Sequence, residues 1–356
     1  MILYILIAVF FFSVLVGIHE FGHFAVAKAC GIRVEEFSIG MGPAIFKKQK
    51  GETLYSLRCI PFGGYCAMTG EDGASDDPRA FVNQKTWKKI LVLVAGSFMN
   101  FLLGFLIVFC LYSNAAGYPV PVIASFMENC PYDSPEAFQA GDRFVSIDGH
   151  LVCTTSDIGD FLKENKAQDI VIVRDGERRK LNDITMRKQE YENEDGSTGL
   201  YYGFHLTYAV EPPTFLNHLS YSWKQTVQFV RLVWQSLGML LRGEATVKDL
   251  SGPVGIVEVM AETGESSEST SDAIFNIAYL GAFIAVNLAL MNMLPIPALD
   301  GGRVFLLLVT GLIELLTRKK LDPKYEGAIH ATGMALLLAL MAFVMINDVV
   351  RIFHHG

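Results

Sequence analysis

The six cysteines of this 356-residue chain never fall at Cys-x-x-Cys spacing, which leaves no cysteine-held zinc ribbon and no dithiol redox motif. Basic residues are absent before Lys28, and no small-residue cleavage site comes ahead of His19. The apolar N-terminal run is therefore read as a helix rather than as a cleaved secretory leader. Charge of either sign is scarce, at 19% of residues. Where it does concentrate it is negative: residues 128–196 hold nine Lys/Arg against sixteen Asp/Glu. That balance argues against nucleic acid and against adhesion of this segment to an anionic lipid surface.

What the chain has in quantity is apolar residues, 51% of the total, with 25 Phe. Met1 to Ile18 carries no charge, and the apolar character resumes after the histidines up to Ala27. Ile90 to Tyr112 and Ala273 to Leu294 are also uncharged, and Ala328 to Asn347 contains a single His. Each run is long enough to cross about 30 Å of hydrocarbon at about 1.5 Å per residue. Four transmembrane helices are expected. Between Lys28 and Lys89 there are ten Lys/Arg against seven acids, and between Gly301 and Gly327 five against three. The positive-inside rule places those loops in the cytoplasm and the long segment between helices two and three outside. That compartment permits a disulfide between Cys130 and Cys153, although free thiols are the expectation.

The expected fold is a polytopic α-helical membrane protein with a membrane-associated β-hairpin loop and an extracytoplasmic β-rich domain. A first membrane helix covers 1–29, a cytoplasmic-side β-rich loop 30–89, a second helix 90–113, and the outer domain 114–208. An amphipathic helix on the membrane surface and a mobile loop at Ala261 to Asp272 fill 209–272. A third membrane helix with a broken end takes 273–303, a helix and loop 304–327, and a fourth membrane helix 328–353. Within the outer domain, "DRFVSIDGHLV" and "DIVIVRDGERRKL" read as strands around DG turns. In the first loop, "TLYSLRCIPFGGYCAM" alternates like paired strands and offers an edge for strand addition.

The chemistry begins at His19, Glu20 and His23, an H-E-x-x-H pattern. Histidines four apart on a helix project about 40° from each other, so both imidazoles reach one ion while the adjacent Glu faces a water beside it. Zinc suits two imidazoles, one carboxylate and an open water position, with Glu20 as general base. The plainer reading is a pair of helix-end histidines meeting headgroups. Ionisable groups inside a spanning helix cost about 2.5–3.5 kcal/mol each on insertion scales, which favours function. A third ligand is then expected from "NLALMNMLPIPALDGGRV", where Pro295 and Pro297 break the third helix and Asp300 sits at the break. Asp300 also reads as a cap for the helix beginning near Arg303, and the two roles are compatible.

H-E-x-x-H in a first membrane helix, together with N-x-x-P-x-P-x-L-D-G-G over Asn292 to Gly302, resembles the site-2 protease family of intramembrane zinc metalloproteases. The likeness spans nearly the whole chain, including "AGSFMNF", "LSGPVGI" and "INDVVRIF". Ser97 departs from the Pro usual in the family at that point. The segment around "GDRFVSIDGHLV" resembles a single PDZ domain but lacks a clear Gly-rich carboxylate-binding loop, so a size filter is expected rather than capture of peptide termini. The resemblance implies zinc held by His19, His23 and Asp300, with Glu20 as base. It also implies that Asn292 and Asn100 hold substrate backbone. Gly96, Asn100 and Gly104 recur on one face of helix two, and for Asn100 an interhelical hydrogen bond is an equal alternative. The implied substrates are single-span membrane proteins or peptides, such as anti-sigma factors or remnant signal peptides, cut in a bacterial plasma membrane, often after their outer domains have been trimmed.

Two other classes stay in view. A scaffold with structural zinc needs a fourth protein ligand, for which His330 is a candidate. An ion transporter would use the broken helix, but no inverted repeat is visible.

Overall fold

The structure is a computed structural model that describes residues 2–71, 73–192, 197–244, 252–317, 329, 332–339 and 341–345. The chain forms two compact units, Met1–Leu111 with Phe229–Gly356, and Tyr112–Gln228.

In the first unit, α1 (Ile2–Ala29), α2 (Thr86–Leu111) and α6 (Thr270–Asn292) are the three helices among the described residues long and apolar enough to cross a membrane. Side chains such as Leu3, Leu6 and Phe10 point outward from α1, a surface suited to hydrocarbon and not to water. Between α2 and α6 the backbones touch: a Cβ at Gly104 would lie 2.9 Å from the Ala282 carbonyl oxygen. Of the fourth expected span, 328–353, much lies outside the described residues; an apolar helix runs over Thr332–Met345.

Two strands follow α1, β1 (Val34–Lys50) and β2 (Thr53–Met68), and they do more than form a hairpin. Lys50 pairs with Thr53 and Ala44 with Arg58 across the tight turn. The front of β1 pairs twice, with Glu36 to Ile39 matching Leu54 to Leu57 in the same direction and Phe37 to Ile39 matching Cys66 to Gly64 in the opposite one. Register of this kind folds two long strands into one sheet of four segments in the order 44–50, 53–58, 34–41 and 60–68. The last segment is the outer edge. Arg58 knots the sheet together, donating to Glu36, Ser38 and the Gly42 carbonyl. Burial acts to raise the Glu36 carboxyl, but bonds from Ser56 and Arg58 hold it below the usual range.

Two boundaries differ from the expectation. Where a mobile loop was expected at Ala261 to Asp272, α5 (Pro253–Glu265) runs to Glu265 and α6 starts at Thr270. Met260 of α5 is buried with Ala8, Leu15 and Ile277, so tertiary packing holds a helix end whose Ser/Glu-rich sequel reads as loop. The third span ends as a regular helix at Asn292, two residues short of the apolar run's end at Leu294; Pro295 and Pro297 form the expected break, and α7 (Asp300–Thr317) begins afresh at Asp300. Helix α4 (Phe215–Arg242) starts in the second unit and ends in the first.

The second unit is an antiparallel sheet of β3 (Tyr118–Phe126), β4 (Arg143–Ile147), β6 (Ala167–Arg174), β7 (Glu177–Thr185) and β10 (Phe204–Glu211). Its order is β10-β3-β4-β6-β7, with β5 (His150–Leu151) on β4. β8 (Gln189–Glu192) pairs separately with β9 (Thr198–Tyr201). β6 alternates buried and half-exposed residues, and Ile170 and Ile172 enter a core with Phe138, Phe144, Ile147 and Ile158 of α3 (Thr155–Phe161). α3 is held by a reciprocal cap: Thr154 accepts from the Asp157 amide while Asp157 accepts from the Thr154 and Cys153 amides. Beneath the sheet, Arg174 grips Asp142 through two bonds of 2.8 and 2.7 Å and donates to the Pro135 and Ala137 carbonyls. All six cysteines are free thiols, Cys130 and Cys153 included.

Candidate metal centre

His19 and His23 leave α1 on one face because four residues nearly complete a turn. Their Nε2 atoms are 3.1 Å apart. Asp300 brings its Oδ2 to 3.2 Å from His19 Nε2 and 3.3 Å from His23 Nε2. Ligand atoms around a tetrahedral ion with bonds near 2.0–2.1 Å lie about 3.3 Å apart, so the three donors fit one small divalent ion. His23 Nδ1 is 2.8 Å from the Val92 carbonyl. The tautomer that donates there turns a lone pair on Nε2 toward Asp300. Lone pairs gathered at this spacing repel one another unless a cation or proton lies between them. His19 Nδ1 is buried and finds no hydrogen-bond partner among the described residues.

Three features of the backbone make the convergence possible. Gly96 of α2 lies over the imidazoles, where a Cβ would come within 2.7 Å of His19 Cε1 and collide with His23 Nε2. Ala298, in the break after α6, takes φ 81°, a left-handed conformation that costs an L-residue about 1–2 kcal/mol. Gly301 presses the first turn of α7 against that break: a Cβ there would be 2.6 Å from the Leu294 carbonyl oxygen. Asp300 thus occupies the first turn of a helix, where a carboxylate is favoured, with its side chain directed at the histidines.

A cavity of about 420 Å³ opens beside this cluster. Glu20 lines it next to the histidines, as do Asn292, the edge segment Tyr65 to Met68, Glu71 and Arg303. Burial first, and then the nearby Glu20 and Glu71 carboxylates, push the Cys66 thiol up, so it faces the cavity as a neutral thiol. The structure therefore gathers His19, Glu20, His23, Asp300 and Asn292 at one place. Asn100 is elsewhere: it is 1% exposed within α2, does not line the cavity, and its Oδ1 has no partner among the described residues. His330 lies outside the described residues. Sequence reading missed Glu71 and Arg303, which carry no motif and are 232 positions apart. Gly96 it noted only as a helix-packing position.

Spanning-length apolar helices around an H-E-x-x-H cluster define a membrane-embedded metalloprotease. The model of peptidase family M50 matches residues 7–340, and the chain belongs to that family. A putative zinc metalloprotease of Clostridium perfringens is 37% identical over 98% of this chain and 99% of its own length. Another of Clostridium acetobutylicum is 37% identical over 97% of each. The regulator of sigma-W protease RasP of Bacillus subtilis is 27% identical over 96% of this chain and 97% of its own length.

Proposed function

We propose that this chain cleaves single-span membrane proteins within or beside the bilayer, with His19, His23 and Asp300 holding the metal and Glu20 acting as general base. It is a zinc metalloendopeptidase. The observation that carries the site assignment is the meeting of three donor atoms, His19 Nε2, His23 Nε2 and Asp300 Oδ2, at tetrahedral spacing, with Glu20 lining the same cavity. When bound, zinc in such a donor set acts as a Lewis acid and brings a water's pKa down to about 7. Glu20 takes the proton from the attacking water and delivers it to the leaving amine. Val92 fixes the ring of His23, and Asn292 offers a donor and an acceptor to substrate backbone. A helical substrate hides its peptide bonds. The edge segment 60–68 supplies the remedy, because a chain laid along it as an added strand presents its backbone to Glu20.

The remaining assignments belong to the same reading. The basic loops face the cytoplasm, four helices span a bacterial plasma membrane, and α4 lies with its exposed Phe215, Leu219 and Trp223 at headgroup level. The unit Tyr112–Gln228 is a PDZ-like filter that admits substrates whose outer domains have been removed, such as anti-sigma factors or remnant signal peptides. In liposomes, the purified chain should cut a tagged single-span substrate after trimming and spare the untrimmed form. A chelator should stop the reaction and zinc should restore it. Equal cutting of both forms removes the filter from the account, and chelator-resistant cutting removes the metal.

A further inference from the structure

Besides the α1 residues that carry the metal-binding motif, the cavity is lined by two segments from distant parts of the chain. One is the edge segment Tyr65 to Met68 of β2, continued by Glu71, whose amide donates to the Met68 carbonyl. The other is the break after α6 and the first turn of α7, with Ala298, Asp300 and Arg303. Arg303 and Glu71 form an ion pair across that space, each about one-fifth exposed. Beyond them Val304 and Leu307 of α7 pack against an apolar cluster that includes Val34, Cys66 and Met68 together with Val92 and Leu93 of α2. Apolar packing of this kind tolerates sliding. A short charge-assisted contact does not, because guanidinium and carboxylate must meet at fixed distance and angle. The pair also lies one helical turn from Asp300, so whatever fixes Arg303 fixes the carboxylate beside the histidines.

We propose that Glu71 and Arg303 are positioning residues that clasp the edge strand to the Asp300 helix, set the width of the cleft and close one end of it. A substrate strand added along 65–68 meets this charged stop, and its register against Glu20 is fixed by it. The inference rests on the strand-addition reading above and names the pair that makes cleavage occur at one peptide bond rather than several.

The test uses the full chain in liposomes with one single-span substrate and compares wild type, Glu71→Ala, Arg303→Ala, Arg303→Lys and the exchange Glu71→Arg/Arg303→Glu. Each Ala variant should raise KM about tenfold with kcat changed less than about threefold, and should add cuts at neighbouring bonds. Arg303→Lys should recover part of the KM, and the exchange should restore a single cut. All variants are assayed at saturating zinc with measured, matched content, and backbone hydrogen exchange at 64–71 should quicken in the Ala variants alone. Unchanged KM and cut site in the Ala variants would overturn the clasp, as would an exchange variant no better than either of them. If wild type cuts nothing, the peptidase reading fails instead, and hydrogen exchange at 64–71 still decides whether the clasp exists.

Discussion

The two units of this chain bury polar groups in opposite ways. In the second unit the most deeply buried charges are partnered: Asp142 and Arg174 hold each other with two bonds, and Arg174 also donates to two carbonyls. Gln168 is likewise bonded at both ends, to Lys163, Asp148 and Phe161. In the membrane unit, His19 Nδ1, Ser97 Oγ and Asn100 Oδ1 are buried with no partner among the described residues, while three lone-pair donors are aimed at one point. The second unit has exceptions of its own in Arg143 Nε and Ser222 Oγ, but neither is part of such a convergence. Saturation produces a rigid scaffold, whereas convergence without saturation prepares a place for something else.

The comparison is sharpened by removing one member from each kind of arrangement. Asp300→Ala should lower zinc affinity by more than about 100-fold, since even changes to the groups supporting a ligand cost 10–100-fold, and should abolish detectable cleavage. The full chain's folding should barely change, because the donors it leaves behind no longer crowd a carboxylate; metal titration with circular dichroism reads both. In the second unit the pattern should invert. Asp142→Ala leaves Arg174 buried without its counter-charge and should cost about 3–5 kcal/mol, seen as early proteolysis within 112–228 at unaltered zinc content. The smallest effect is expected at the helix cap, where Thr154→Ala should cost about 1 kcal/mol and leave α3 fraying in hydrogen exchange. If Asp142→Ala instead emptied the metal site, the contrast between the two units would fail.

How much of this was legible beforehand follows from the range of each interaction. His19 and His23 announce themselves because helical periodicity is local. Asp300 could be picked out because the prolines before it break a helix and no other acidic residue falls between Asp272 and Glu314, although a helix cap reads it equally well. Asn100 and Asn292 look alike as letters in apolar helices, but only Asn292 lines the cavity. α6 ends two residues before the apolar run does, because hydropathy continues to Leu294 while the Met293 and Leu294 amides already bond three residues back, to Leu290 and Met291, in a tighter turn. α5 was partly lost in a Ser/Glu-rich stretch whose buried face depends on partners in α1 and α6. The double pairing of β1 and the meeting of Glu71 with Arg303 depend on the whole chain, and no short window contains them.

The central claim is that a cluster built around one ion does proton-transfer chemistry through Glu20. It is tested most directly by comparing wild type and Glu20→Gln, at matched and measured zinc content, for cleavage of a trimmed single-span substrate in liposomes. A fall in kcat of about 10²–10⁴ with zinc retained is the predicted result. Cleavage within about threefold of wild type would contradict the account. It would leave the cluster a metal site, but one whose hydrolysis, if any, is carried by another group.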